Sequence, residues 1–232
     1  SLPITTSDNI PTENPTPSYP ANGPTVDKTS YNLKTDSVVF TKDGYSGDGN
    51  TFSGNENDNQ ILFINTDSAS LSASTTNDRP NNEFYLSPKA KNTKITITGT
   101  DFGNGEIGVH ANSNNPSIIL PQSKVPLKLY NDENSQVNLN VNGQPENSIS
   151  LSKLLVNNGG VKFNMPSGVS SLNFDKVDVY NTGYIQSIFG QTQLETNINI
   201  LDMKSGSTIT LSNAKFGETV KSAPNSKLVI DG

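Results

Sequence analysis

The chain has 232 residues, a formal net charge of −6 and a pI of about 4.7. It contains no cysteine, only 31% hydrophobic residues, and asparagine at roughly one position in seven. The acidic balance excludes a basic nucleic-acid groove. The lack of cysteine excludes a disulfide-stapled fold, and no run approaches the ~18 apolar residues of a membrane-spanning helix. So little apolar material suits a narrow core column better than a globular core.

In chain order, residues 1–34 are rich in Pro, Thr, Ser and Asn. Pro11, Pro15, Pro17, Pro20 and Pro24 break any regular element. This arm reads as a flexible or extended segment, or as a strap that covers the edge of the first coil. It carries no signal-peptide pattern, as expected of a mature chain whose leader has been removed. Residues 35–90 read as an irregular β cap, starting at Val38-Val39-Phe40 and continuing through Ile61–Ile64, Leu71 and Phe84-Tyr85-Leu86. Within the cap, Asp43, Asp48, Asn50, Glu56 and Asp58 lie between glycines and amides. Clustered oxygens of this kind are the ligands a Ca²⁺ ion takes. Their spacing fits neither the helix-loop-helix calcium loop nor a glycine-rich calcium repeat, so the reading is a solvated loop with no cofactor.

From Ile95 the pattern sharpens. Ile95-Thr96-Ile97, Ile107-Gly108-Val109, Ile118-Ile119-Leu120, Leu127-Lys128-Leu129, Val137–Val141 and Ile149-Ser150-Leu151 alternate with Gly, Asn or Pro between them. Period-two alternation marks half-buried strands, and helical spacing is not sustained anywhere. Beyond this point three rows align, starting at Leu154, Val177 and Leu201 and turning at Gly159, Gly183 and Gly206. A fourth start, Leu228-Val229-Ile230, lies near Gly232, and the starts fall about 23, 24 and 27 residues apart. A row of this length with short strands and turns is one coil of a parallel β-helix. The expectation is therefore an all-β, parallel, right-handed, three-sided β-helix solenoid over 91–232, with 35–90 as its N-terminal cap. A flat β-sandwich is the alternative that strands of this length also allow.

The rows make specific demands. Val156, Val179 and Met203 should form one buried column, with Asp178 and Asp202 outside it, one above the other. Asn131, Asn142, Asn157 and Asn181, each just after a strand, are placed to turn corners and to bond from coil to coil. The last strand has no polar cap after it. The coils are thus expected to continue, or a partner to cover the last one.

From Leu127 onward the chain resembles the secreted passenger β-helices of Gram-negative autotransporters and related bacterial surface adhesins. Coils of about 23 residues, corners marked by Asn and Gly, outward Thr, Ser and Asn, acidity and absence of cysteine carry the resemblance. It implies a secreted or cell-surface protein of a bacterium with a role in attachment, aggregation or host interaction. The implied partner is a host-cell protein or glycan receptor, or another copy of the chain, with no nucleic acid and no membrane insertion by this segment. A stalk, surface-layer or fibre segment is the structural alternative.

Right-handed β-helices also host polysaccharide lyases and hydrolases, so catalytic constellations matter. The one arginine, Arg79, lies in the cap. Glycoside hydrolysis requires two facing carboxyl groups about 5–9.5 Å apart. Asp175 and Asp178, three apart on a strand, are expected on opposite faces. The stacked pair Asp178 and Asp202 is the best carboxylate arrangement, and its simpler reading is a solvated outer face. No nucleophile elbow is present. The single histidine, His110, cannot build a triad or a metal site without partners and reads as structural or exposed. Tyr130, Tyr180 and Tyr184 fall near coil corners, where exposed rings would stack on sugars or a partner and buried ones would close the coil edges. Together with Asp178 and Asp202 they are the candidate binding residues of a non-enzymatic protein. A carbohydrate-active β-helix is the further alternative.

Overall fold

The computed structural model describes residues 64, 67–74, 83–98 and 106–231 with their side chains, and the backbone alone of 4–6, 30–31, 35–41, 44–47, 50–53, 60–63, 75 and 81–82. The described residues form strands and turns and no helix. The first strands are β1 (Ile4–Thr6), β2 (Ser30–Tyr31), β3 (Thr35–Thr41), β4 (Gly44–Gly47), β5 (Asn50–Ser53), β6 (Gln60–Ile64), β7 (Ser70–Thr75) and β8 (Asn81–Leu86). Next come β9 (Lys94–Ile97), β10 (Glu106–His110), β11 (Ser117–Leu120), β12 (Lys124–Asn131), β13 (Ser135–Val141), β14 (Ser148–Asn157) and β15 (Val161–Asn164). The last are β16 (Ser171–Tyr180), β17 (Thr182–Phe189), β18 (Thr192–Gln193), β19 (Glu195–Met203), β20 (Thr208–Ser212), β21 (Ala214–Ser222) and β22 (Lys227–Asp231).

From β6 onward, the β18 hairpin strand aside, successive strands alternate between two ladders. One runs β2-β6-β8-β10-β12-β14-β16-β19-β21-β1 and the other runs from the β5-β4-β3 meander through β7-β9-β11-β13-β15-β17-β20 to β22. Pairing is parallel throughout except in the β3-β4-β5 meander and at the small β17–β18 hairpin. A chain that returns to the same ladder once per row, always parallel, is a β-solenoid, which sets aside the β-sandwich. The ladders reach further back than position 91, because β6 through β9 already pair in register. Of the N-terminal arm, β2 lies beside β6 and β1 beside β21; the rest of the expected strap falls outside the described residues.

The core consists of stacked columns. Val156 pairs with Val179 and Val179 with Met203, and all three are buried, as the row alignment requires. Leu154, Val177 and Leu201 form a second column, and Leu151, Phe174 and Ile198 a third. Phe163 of the other ladder meets Phe174 across the interior, with ring centroids 5.6 Å apart. Full burial of each such ring contributes about 1.5–3 kcal/mol, and each coil buries its columns only against its neighbours.

Alternation shifts phase inside the long strands. In β14, β16 and β19 two consecutive residues turn outward: Ser152-Lys153, Asp175-Lys176 and Asn199-Ile200. This corrects the expected placement of Asp175 and Asp178. The shift at Lys176 puts both on the outside, because the strict two-residue period fails at the bend.

Asparagine turns the corners. Among the described residues, Asn92, Asn115, Asn158, Asn181, Asn213 and Asn225 adopt positive φ between 50° and 63°, a backbone that Asn tolerates better than most residues. Of the three row glycines only Gly206 does so, at φ 73°. Gly159 and Gly183 are needed for space instead. A Cβ on Gly183 would run into Val156 Cγ1, and one on Gly159 would lie 2.5 Å from the backbone of Glu133.

Candidate functional site

Three polar constellations lie outside the apolar columns. The first is a ladder at one corner. Asn112 Nδ2 donates to Asp132 Oδ2 at 3.2 Å, Asn157 Nδ2 to Asp132 Oδ1 at 3.4 Å, and Asn181 Nδ2 to Asn157 Oδ1 at 2.5 Å. Burial raises the Asp132 carboxyl above its usual range, against these amide bonds. Asn157 and Asn181 thus bond from coil to coil as expected. Asn131 does not join them: it is fully buried, and its Oδ1 accepts from Ser135 Oγ. Asn142 is exposed.

The second is a closed cluster. Register places Tyr85, His110 and Tyr130 in one column and Glu83, Gly108 and Lys128 in the next. Glu83 accepts from the Tyr130 hydroxyl at 2.8 Å and lies 3.4 Å from His110 Nε2 and 3.8 Å from Lys128 Nζ. The His110 and Tyr130 rings stack at 4.2 Å and an 8° angle, with the Lys128 ammonium 4.9 Å from the Tyr130 ring centre. Gly108, without a side chain, leaves Lys128 a clear path to Glu83 one strand beyond. Burial pushes the Glu83 carboxyl up, but His110, Tyr130 and Lys128 together hold it below its ordinary value. Burial drives His110 below its ordinary value, so it is neutral at pH 7, opposed by its contact with Glu83. His110 is 0% exposed and Glu83 2%. The cluster therefore binds coils together rather than meeting a substrate. His110 is structural, and Tyr130, at 7% exposure, is a buried hydroxyl donor rather than an open ring.

The remaining candidates also separate. Tyr180 is half-buried, with Lys204 Nζ 5.6 Å from its ring centre. Tyr184 belongs to the other ladder, half-buried over Gly160, where a Cβ would collide with its ring. The three tyrosines do not form one exposed line. Asp178 and Asp202 stack as expected, yet neither stands free in solvent. Lys176 Nζ lies 3.5 Å from Asp178 and 3.8 Å from Asp202, and Lys204 Nζ lies 2.9 Å from Asp202, which is only 5% exposed. The solvated outer face expected there is instead a lysine-bridged carboxylate pair. Asp43, Asp48, Glu56, Asp58 and Arg79, together with the side chain of Asn50, lie outside the described residues. Among the described residues no group of three His, Asp or Glu side chains gathers to hold a metal.

The third constellation is an open groove of about 390 Å³ on the outer face, where β14, β16, β19 and β21 run side by side. A short amide ladder runs through it: Asn173 Nδ2 donates to Ser150 Oγ at 3.1 Å and Asn197 Nδ2 to Asn173 Oδ1 at 2.8 Å. Asp175, Asn199, Lys215 and Gly217 complete the polar lining, and Phe174, Ile198 and Phe216 border it from the core side. A register break creates it. Phe216 pairs with Ile198 but Thr219 with Ile200, so β21 carries one residue more than β19 and bulges. The bulge falls on Gly217 and Glu218. A Cβ at Gly217 would come 2.5 Å from Asn199 Oδ1, while Asn199 Nδ2 donates to Glu218 Oε2 at 3.2 Å. Lys215 is 73% exposed at the side-chain level and bonds Glu195 at 3.0 Å; that contact, against slight desolvation, holds the Glu195 carboxyl below its ordinary value.

Sequence reasoning missed this groove. Its signal was present: Ser150, Asn173 and Asn197 fall 23 and 24 residues apart, the row period itself. They lie in mid-strand, away from the strand ends where the corner-turning asparagines fall. Comparison of the chain with protein-family models gives no match, nor does comparison with curated proteins or with solved structures.

Proposed function

We propose that the chain is a non-enzymatic attachment module of a bacterial surface or secreted protein, holding its partner along the outer face of the solenoid. The open groove across β14, β16, β19 and β21 carries this reading. Its lining comes from successive coils fixed to one another by backbone ladders and amide bonds, so it is preorganised and loses little freedom on binding. Among the described residues, the histidine and the stacked carboxylates that would serve hydrolase or lyase chemistry are engaged elsewhere. His110 and Glu83 are enclosed, and Asp178 and Asp202 are neutralised by Lys176 and Lys204. The acidic, cysteine-free composition rich in Asn, Ser and Thr agrees with a location outside the cell.

The test is binding of the chain, labelled at its N-terminus, to cultured epithelial cells, to bacterial cells and to itself in one concentration series. Saturable binding to a cell surface supports attachment. Self-association without cell binding would replace it with the stalk or fibre reading. Turnover of a polysaccharide that disappears in the Asp178→Asn, Asp202→Asn double variant would replace it with an enzymatic one.

A further inference from the structure

We propose that the groove on β14, β16, β19 and β21 takes an extended, uncharged polysaccharide strand, laid along the solenoid axis across the strands; this names the ligand of the attachment reading above and rests on it. Three observations point to that chemistry. First, the amides of Asn173 and Asn197 and the hydroxyl of Ser150 recur on successive strands, which lie about 4.8 Å apart. A ligand running across the strands meets the same kind of group at each step. An extended chain of β-linked pyranoses advances by a similar distance per sugar and offers hydroxyls at each repeat.

Second, the polar lining can both donate and accept. Asn173 keeps one amide hydrogen beyond its bond to Ser150, Asp175 is an exposed acceptor, and Lys215 an exposed donor. Sugar hydroxyls, themselves donors and acceptors, satisfy all three. Third, the charges in the lining cancel. Asp175 balances Lys215, and Glu195 and Glu218 lie directly beside the groove. A phosphate-rich or polyuronate chain would face more negative than positive charge there. A peptide adding as a strand finds no seat on β14, β16 or β19, each of which is paired on both sides along the ladder.

The test uses the full chain and defined probes: a neutral β-linked glucan, a mannan, a galactan and, as a polyanion, a polygalacturonate. Binding is read by titration calorimetry and by retardation in affinity gels. The Asp175→Ala, Lys215→Ala double variant keeps the net charge and changes only exposed side chains. Lys162→Ala, at the smaller groove beside Tyr184 on the other ladder, is the control. Binding of at least one neutral polysaccharide, weakened tenfold or more in the double variant and unchanged in Lys162→Ala, is the expected result. No binding of any neutral probe, equal binding by the double variant, or preference for the polygalacturonate would overturn the proposal. Cell attachment that survives the double substitution, with no competition by neutral polysaccharides, sinks the groove assignment and leaves attachment standing through another face. Groove-dependent polysaccharide binding without cell attachment does the reverse.

Discussion

Gly160 and Tyr184 provide a strict test of how the coils stack. A Cβ built on Gly160 would fall within van der Waals distance of Cγ, Cδ1 and Cε1 of the Tyr184 ring, which belongs to the next rung of the same ladder. Gly160 is buried, and its backbone does not lie in the left-handed region, so the conflict in Gly160→Ala is purely steric. Overpacking of this kind costs about 1–3 kcal/mol. Removing the ring in Tyr184→Ala loses roughly 1–2 kcal/mol, since the side chain is only half-buried. In that background the alanine at position 160 has room, and replacing a glycine there stabilises by up to about 1 kcal/mol. The four proteins of the cycle should therefore show a coupling of about 1–4 kcal/mol, with the double variant at least as stable as Tyr184→Ala. For a chain of this length each kcal/mol moves the thermal midpoint by roughly 2–4 °C, which circular dichroism resolves. Effects that add to within about 0.5 kcal/mol would show that the ring does not lie over Gly160, and the register of β15 and β17 would be wrong.

Acid should destabilise the fold in two stages. His110 is depressed below 6.5 by burial, so its contribution is complete above pH 6.5 and declines as the pH falls from there; Glu83, depressed below 4.5, adds a further loss below pH 4.5. Asp132, whose carboxyl is raised above 3.8, offsets part of the second stage. Thermal midpoints from pH 7.5 to 3.5 check this, and a flat response between pH 7 and 5 would mean that His110 is not buried. The Tyr130→Phe variant removes one hydrogen bond to a buried carboxylate and should cost about 1.5–3 kcal/mol in urea unfolding. An effect below 0.5 kcal/mol would open the Glu83 cluster to water. Phe174→Ala, which empties a fully buried site against Phe163, should cost about 3–5 kcal/mol; a tolerant site would place that ring outside the core. Lys204→Met removes a charged hydrogen bond and leaves the buried Asp202 with Lys176 alone at 3.8 Å, and should cost about 1.5–3 kcal/mol, whereas Lys153→Met, at an exposed pair with Glu106, should cost under 1 kcal/mol. Similar values for the two would refute the burial of Asp202.

The column of Val156, Val179 and Met203 was legible in the sequence because an inward apolar residue recurs at each row start. The coil-to-coil bond of Asn157 and Asn181 was legible for the same reason. Three features were not. The bend at Asp175-Lys176 breaks the two-residue alternation without any Gly or Pro to announce it. The meeting of Glu83, His110 and Tyr130 depends on rungs before the regular rows, where offsets between paired residues change from one coil to the next. The groove depends on one extra residue in β21, and a bulge of that size is invisible until the register on both sides of it is known. Asp202 illustrates the same limit: its period marks it as outward, but Lys176 and Lys204 fold over it and remove it from water.

Lys94, Ser117, Asn138, Asn164 and Ile188 stand in one column, each paired with the next. Four strand spacings separate the first from the last, about 19 Å between backbones. The chain has no cysteine, so spin labels placed on Lys94→Cys and Ile188→Cys report that distance without background. Parallel coils stacked in this register, the basis of both the groove and the closed cluster, predict a single narrow distribution near 20 Å by pulsed dipolar spectroscopy. A broad distribution, or one centred beyond about twice that spacing, would contradict it.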